Sequence, residues 1–151
     1  MRIWRICKQQ YAAFNGIGAE RYGGRWNSPG RRVVYCASSL SLAGLETFVH
    51  TEPGLLPQDL VSVVAQLDDD VSRQIITIST LPQNWRNYPA PEHLQQIGNQ
   101  WLIANSSAVL VVPSSVIPVE NNYLLNPLHP DFPRIRIIDT TPFAFDPRML
   151  R

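Results

Sequence analysis

The 151 residues are enough for one ordinary domain with a buried core, and we expect a single domain over residues 1–151. Hydrophobic residues make up 44% of the chain and charged residues 17%, which is typical of a globular protein and excludes a disordered one. The formal net charge of +1 gives no overall field that would attract nucleic acid or an anionic membrane. We therefore expect no direct nucleic-acid partner.

The sequence shows no signal peptide and no membrane-spanning segment. The segment Met1–Cys7 is too short and too charged for the apolar core of a signal peptide, and no apolar run approaches the length of a membrane span. We expect a cytoplasmic protein without a membrane partner.

Cys7 and Cys36 lie in apolar, strand-like segments and are expected to be buried free thiols. The absence of a CxxC motif and of a His/Cys cluster gives no support for a metal site.

The apolar pattern predicts about six short strands. Residues alternate from Ile3 to Cys7, so Trp4 and Ile6 share one face and Arg5 lies on the other. The other predicted strands are rich in β-branched residues and span 31–37, 60–67, 74–79, 107–112 and 134–139.

Two main helices are predicted. The first extends from about Ser39 to His50, before the terminator Pro53-Gly54. The second begins near Pro91 and continues to about Ile103. Strands and helices do not alternate regularly, so the sequence predicts an α+β fold rather than a doubly wound sheet.

Arg25 follows a pair of glycines in the run Tyr22–Asn27. Paired glycines let the backbone turn sharply or approach a ligand, and the arginine fork suits the two oxygens of a pyrophosphate. A turn with a solvated arginine, packed by Trp26, is the alternative. The nearby Gly16-Ile17-Gly18 lacks the third glycine and the βαβ unit of a dinucleotide-binding fingerprint.

Glu46 occupies the apolar stripe of the first predicted helix, beside Leu42 and Ala43. Because position 43 is alanine, no capping box explains this glutamate. A carboxylate on an apolar face is costly unless it is paired or lies in a cleft. Glu46 is therefore either an active-site acid or one half of a buried salt bridge. The candidate partners for that salt bridge are Arg5, Arg21 and Arg25.

Three further side chains merit attention. The ring of Tyr35 suits one wall of a site for a flat heterocycle, although core packing is the commoner use of such a tyrosine. Arg5, in mid-strand, needs a fixed anionic partner, either a side chain or a ligand phosphate. Ser114 ends a strand after Pro113, where hydroxyls more often cap turns. No Gly-x-Ser-x-Gly elbow supports a serine hydrolase.

In combination, five segments of this chain resemble the RES-domain family: 23–27, 34–35, 42–50, 112–114 and 122–130. The family takes its name from an arginine, a glutamate and a serine, which correspond here to Arg25, Glu46 and Ser114. Ser115 leaves the choice of serine open, and the position directly after proline favours Ser114. The resemblance extends from Trp4-Arg5 to about Ile138 and depends on the order and spacing of the segments together.

The resemblance implies a fold similar to that of ADP-ribosyltransferase toxins. It also implies that NAD⁺ is a substrate, cleaved at the nicotinamide–ribose bond by hydrolysis or phosphorolysis, and that no cofactor is required. Family members are encoded beside an Xre-type antitoxin, a DNA-binding protein that covers the active site of the toxin. We therefore expect the toxin component of a bacterial toxin–antitoxin system, with its oligomeric state left open.

The resemblance also implies roles for single residues. Arg5 and Arg25 would hold the pyrophosphate or ribose side of NAD⁺, and Tyr35 would stack near the nicotinamide. Glu46 would hold the nicotinamide ribose and stabilise the positive charge that develops as the glycosidic bond breaks. The hydroxyl of Ser114 would hydrogen-bond the nicotinamide amide or the ribose.

Asn126 belongs to the same implied substrate-binding set. Two other functions remain open. One is ADP-ribosyl transfer to a protein acceptor at the same site, because the sequence does not decide whether water, phosphate or a protein receives the ADP-ribose. The other is a non-catalytic partner-binding module, in which the arginine and the glutamate are only structural.

Overall fold

A seven-stranded mixed sheet and three α-helices form the protein in a computed structural model that describes residues 1–55 and 57–150. The strands are β1 Arg2–Lys8, β2 Val34–Ala37, β3 Leu60–Gln66, β4 Arg73–Ile75, β5 Val109–Pro113, β6 Asn121–Leu125 and β7 Arg136–Pro142. The helices are α1 Ile17–Tyr22, α2 Leu40–Val49 and α3 Glu92–Ala104. The strand order is β4-β5-β6-β2-β1-β3-β7, and only the β4–β5 pair is parallel. The predicted α+β class is confirmed.

The strand predictions differ from the structure most at β6, β4 and β7, and β2 begins at Val34 rather than at residue 31. β6 was missed, because its first two residues are asparagines with low strand propensity and it is fixed by pairing with β5 and β2. β4 ends at Ile75, since Ile78–Thr80 form a 3-10 turn. β7 starts at Arg136, after another 3-10 turn at Phe132–Arg134.

Both main helices lie within one residue of their predicted ends. The hydroxyl of Ser39 caps α2 by accepting the Leu42 N–H at 3.1 Å. Pro91 precedes α3, and Asn105 ends it in the left-handed conformation. The six-residue helix α1 was not predicted. Among the described residues, no helix is both long and apolar enough to cross a membrane.

The core occupies both faces of the sheet. One face buries Ile3 and Cys7 of β1, as the alternation of that strand predicts. The opposite face buries Ile6 against Leu42 and Ala43 of α2 and, further along, the strands that α3 covers. α2 therefore packs on the face of β1 opposite to Ile3, and this placement decides which side chains can meet.

The two cysteines are free and buried, as predicted. Burial raises the pKa of the Cys36 thiol to about 12, because the thiolate would lose its hydration. A thiol that stays protonated is a poor nucleophile, so Cys36 serves as a small core residue.

Candidate functional site

Glu46 and Ser114 are joined by a short hydrogen bond. The Ser114 hydroxyl donates to Glu46 Oε1 at 2.6 Å, and its oxygen accepts the N–H groups of Val116 at 3.1 Å and Ile117 at 3.0 Å. A serine hydroxyl has one proton to donate and two lone pairs, so Ser114 has no capacity left for another partner. The fully buried Ser114 therefore fixes the position of the Glu46 carboxylate.

Of the two neighbouring serines, Ser114 is the one whose hydroxyl contacts Glu46. Ser114 directly follows β5, and the carbonyl of Ser115 accepts a different bond, from Arg86 Nε at 2.9 Å. Glu46 reaches Ser114 because α2 turns Leu42, Ala43 and Glu46 toward the sheet, as the helical period predicts. The resemblance implied a bond from Ser114 to the substrate, whereas in this structure the hydroxyl is committed to Glu46.

The salt-bridge alternative for Glu46 is not observed. Within the described parts of the chain the four ion pairs involve other carboxylates, and none includes Glu46. The negative charge that the sequence places on an apolar face is thus held by a neutral hydroxyl. The Glu46 carboxylate therefore has no cationic partner among the described residues.

Arg25 lies close enough to Glu46 for the two opposite charges to influence each other, although no salt bridge joins them among the described residues. Its Nη1 donates to the carbonyls of Trp85 at 2.8 Å and Asn87 at 3.1 Å. Burial lowers the pKa of the half-buried Arg25 guanidinium, and the opposing influences come first from Glu46 and then from Tyr35 and Tyr88. Since a guanidinium stays charged in proteins, a partly desolvated cation lies opposite a carboxylate to which it is not paired.

The loop that carries Arg25, residues 23–33 between α1 and β2, is called the Arg25 loop. Tyr35 of β2 holds it by hydrogen bonds. The Tyr35 hydroxyl donates to Asn27 Oδ1 at 2.7 Å and accepts the Trp26 N–H at 3.1 Å. Burial raises the pKa of Tyr35, so the phenol remains a donor. A Cβ on Gly24 would lie 2.7 Å from this hydroxyl oxygen, so only glycine fits there. Tyr35 therefore positions the loop, and the one proton of its hydroxyl is already donated to Asn27.

Helix α3 holds the same loop from the other side. Gln95 Nε2 donates to the carbonyls of Gly24 at 3.1 Å and Asn27 at 3.2 Å, and Asn99 Nδ2 donates to Ser28 Oγ at 2.7 Å. A Cβ on Gly98 would overlap the carbonyl oxygen of Trp26. The sequence analysis did not assign roles to these α3 residues, although a glycine inside a helical pattern is itself a sign of close packing.

The structural role of Asn27 was likewise not predicted from the sequence. It is fully buried, and its Nδ2 donates to the carbonyls of Ala19, Ser28 and Arg31 at 2.9 to 3.2 Å. Together with its bond from Tyr35, this amide ties both ends of the Arg25 loop to the core. The guanidinium is consequently carried by a rigid backbone.

The segment Trp85–Tyr88 closes one side of the site. Arg25 binds two of its carbonyls, and Arg86 Nε binds the Ser115 carbonyl, so the segment bridges the two loops. The ring of Tyr88 lies 6.0 Å from the ring of His50, centroid to centroid, with a tilt of 55°. No sequence pattern indicated a role for this segment. It contains no helix or strand, and its contacts are with residues far away in the chain.

The structure places the Arg5 side chain apart from Glu46. Arg5 shares a face of β1 with Ile3 and Cys7, whereas α2 packs against Ile6 on the other face. Its Nη1 donates to the Tyr35 carbonyl at 3.0 Å, and its buried Nε has no partner among the described residues. Among the described residues no acidic side chain pairs with Arg5, so the anionic side chain is not observed and the ligand phosphate stays a prediction.

Asn126, which the resemblance assigns to the substrate-binding set, lies at the end of the β5–β6 pair opposite to Ser114. β5 and β6 are antiparallel, so Ser114 lies beside Asn121 at one end of the pair and Asn126 follows Leu125 at the other. Five strand residues separate these ends by about 17 Å. Asn126 is buried, donates to Asn105 Oδ1 at 2.8 Å and accepts the Leu128 N–H at 3.1 Å. In this structure Asn126 stabilises a turn, and its assignment to the substrate-binding set stays a prediction.

The candidate site thus consists of Arg25 and Glu46, with Ser114, Tyr35 and the segment Trp85–Tyr88 holding them. A fixed carboxylate stabilises a positive charge that develops in a transition state, and a guanidinium binds phosphate oxygens. In the part of the chain that the structure describes, no three His, Cys, Asp or Glu side chains are grouped so as to hold a metal ion.

Comparison with known proteins adds independent findings. The family model described as the RES domain matches residues 2–146. "Toxin Res" of Yersinia enterocolitica is 41% identical over 152 residues, covering 99% of each chain. "Prs ADP-ribosylating toxin" of a Sphingobium strain is 40% identical, covering 99% of this chain and 96% of its own. A chain of the M. tuberculosis MbcT–MbcA toxin–antitoxin complex has the same fold, with a TM-score of 0.76 at 15% identity over 99% of this chain and 86% of that one.

Proposed function

This chain belongs to the RES domain family, and from that premise we propose that it is the toxin of a bacterial toxin–antitoxin system that cleaves NAD⁺ at the nicotinamide–ribose bond. Relatives named Toxin Res match it over nearly their whole length, which supports the toxin role. The observation that carries the proposed chemistry is the Glu46 carboxylate, fixed by Ser114 and opposite an unpaired Arg25.

Glu46 is the group that acts on the bond to be broken. Cleavage of an N-glycosidic bond passes through a state in which the ribose resembles an oxocarbenium ion. A carboxylate already held in place lowers the energy of that cation without having to reorganise. The bond from Ser114 and the two backbone N–H groups behind it supply this preorganisation.

Arg25 is the group that binds the anionic part of the substrate. One terminal nitrogen is occupied by the Trp85 and Asn87 carbonyls, which leaves Nη2 and Nε as donors. Parallel donors of this kind match two oxygens of a pyrophosphate. Partial burial strengthens the interaction, because less water competes for the charge.

A second activity has its own support, since the Sphingobium relative at 40% identity is named an ADP-ribosylating toxin. Transfer of ADP-ribose breaks the same bond and uses the same two charged groups. The two activities differ only in the acceptor, which is water or phosphate in degradation and a protein side chain in transfer. Degradation remains the primary proposal, and transfer is the alternative.

The test is incubation of the purified protein with NAD⁺ that carries a label in its adenine moiety. Release of nicotinamide with free labelled ADP-ribose or its phosphate supports degradation. Release of nicotinamide with label on a protein of added cell extract supports transfer. If no nicotinamide is released under conditions in which the protein is folded and free of partner, the proposed reaction is wrong and a non-catalytic binding module becomes the better interpretation.

A further inference from the structure

The proposed reaction requires a surface for the nicotinamide ring beside Glu46. The resemblance implied that Tyr35 provides this surface. In the structure the Tyr35 hydroxyl is hydrogen-bonded to Asn27 and Trp26, and its ring packs against the cluster that contains Trp26. Tyr88 is different, because 79% of its surface is exposed. An exposed aromatic ring beside a charged site is available to stack on a flat ligand.

The position of Tyr88 relative to Glu46 follows from helix geometry. His50 follows Glu46 by four residues at the end of α2, so the two side chains lie one turn apart on the same side. The Tyr88 ring lies 6.0 Å from the His50 ring. Tyr88 is also one of the three side chains that bear on the Arg25 guanidinium, together with Glu46 and Tyr35. The exposed ring therefore borders the space between the two charged groups.

The backbone below Tyr88 is fixed even though its ring is free. Arg25 binds the carbonyls of Trp85 and Asn87, and Arg86 is tied to Ser115. The ring is thus presented by a segment that both loops of the site hold in place. A stacking surface with a fixed backbone loses little conformational entropy when a ligand binds.

We propose that Tyr88, with His50 beside it, is the surface on which the nicotinamide ring of NAD⁺ stacks. The inference rests on the proposed function and names a substrate contact of that site. The oxidised nicotinamide ring carries a positive charge, which an electron-rich tyrosine face attracts. Its ring nitrogen is bonded to the ribose carbon that Glu46 would stabilise, so the nicotinamide ring must lie close to Glu46, and Tyr88 borders His50, one helical turn away.

The experiment measures binding by calorimetry in a Glu46→Gln background, where turnover is blocked. NAD⁺ and ADP-ribose are titrated in parallel, because ADP-ribose has every part of NAD⁺ except the nicotinamide. Tyr88→Ala is expected to weaken NAD⁺ binding about tenfold, the effect of losing one stacked ring, and to change ADP-ribose binding less than about twofold. Tyr88→Phe keeps the ring and is expected to bind both ligands normally.

Tyr22→Ala is the matched control, because Tyr22 is a tyrosine of similar exposure, 73%, with no role in the site. An unchanged NAD⁺ affinity in Tyr88→Ala overturns the inference while leaving the proposed function intact. Equal weakening of NAD⁺ and ADP-ribose also overturns it, because the residue would then act through Arg25 or on the adenine. If neither the Glu46→Gln protein nor the wild-type protein binds NAD⁺ at all, both this inference and the proposed function fail.

Discussion

At the scale of single residues, the site depends on a division of labour between charged groups and the neutral groups that hold them. The hydroxyl of Ser114 has its donor and both acceptor positions occupied, and the hydroxyl of Tyr35 donates its one proton to Asn27. These two residues therefore act through Glu46 and through the Arg25 loop. Glu46 and Arg25 retain unused capacity toward the same space. Substitutions of the two charged residues should therefore affect the reaction more than the fold.

Glu46→Gln is expected to keep the fold and to reduce NAD⁺ consumption at least a hundredfold. The amide keeps an oxygen that can accept the Ser114 bond, but it lacks the charge that stabilises the oxocarbenium-like state, which is worth a few kcal/mol. Nicotinamide release measures the rate, and circular dichroism with thermal unfolding is the control for folding. A folded variant with nearly wild-type turnover would contradict the role of Glu46.

Arg25→Lys is expected to weaken NAD⁺ binding although the charge is preserved. A lysine is a point donor and cannot give parallel bonds to a pyrophosphate while also holding the Trp85 and Asn87 carbonyls. Calorimetric titration in the Glu46→Gln background gives the affinity directly. If the variant folds and binds NAD⁺ as before, Arg25 only anchors the segment Trp85–Tyr88.

At the scale of secondary-structure elements, the Arg25 loop is clamped between β2 and α3. Tyr35 holds it from the strand, and Gln95 and Asn99 hold it from the helix. The clamp requires α3 to lie against the loop backbone, which is possible because position 98 has no side chain. The helix thus sets the position of an arginine that is about 70 residues earlier in the chain.

Gly98→Ala is expected to destabilise the protein by about 1–3 kcal/mol, since the added methyl overlaps a backbone carbonyl that cannot move cheaply. The matched control is Gly44→Ala in α2, where a Cβ would meet only the end of Ile6 at 4.0 Å. That change should stabilise the protein by up to about 1 kcal/mol, because alanine is the better helix former. Urea unfolding of both variants measures the difference. Equal effects of the two substitutions would show that α3 does not press on the loop.

At the scale of the whole molecule, the proposed toxin must be restrained in its own cell, and we propose an antitoxin, of the Xre type that the resemblance implies. A carboxylate of that partner, inserted into the site, could bind Arg25 as the pyrophosphate would. The antitoxin and NAD⁺ would then compete, and each would lower the apparent affinity of the other.

The competition is tested by titrating NAD⁺ into the Glu46→Gln protein alone and into its preformed complex with the antitoxin. We expect NAD⁺ affinity to fall at least tenfold in the complex, the scale of a typical coupling free energy. A complex formed with the Arg25→Lys variant is the control for the contact with Arg25, because there the coupling should be smaller. Unchanged NAD⁺ affinity in the complex would exclude occlusion of the site.

Local patterns in the sequence determined the two main helices, most of the strands and the identity of the charged residues, but not α1 or β6. The alternation in β1 and the 3.6-residue period of α2 follow from backbone geometry, so the burial of Ile3 and the inward position of Glu46 were readable without a structure. The glycines before Arg25 and the proline before Ser114 likewise marked the two loops. The direction of a side chain can therefore be predicted from the sequence where the local backbone of its own segment fixes it.

The tertiary structure alone decided which residues meet. Glu46 bonds to Ser114, 68 positions away, and not to Arg5, because α2 packs on the face of the sheet opposite to Arg5. Asn126 lies far from Ser114 because β5 and β6 are antiparallel, and a missed strand hid that reversal. Contacts of this kind depend on strand order and on helix packing, which are properties of the whole chain and leave no periodic trace in any one segment.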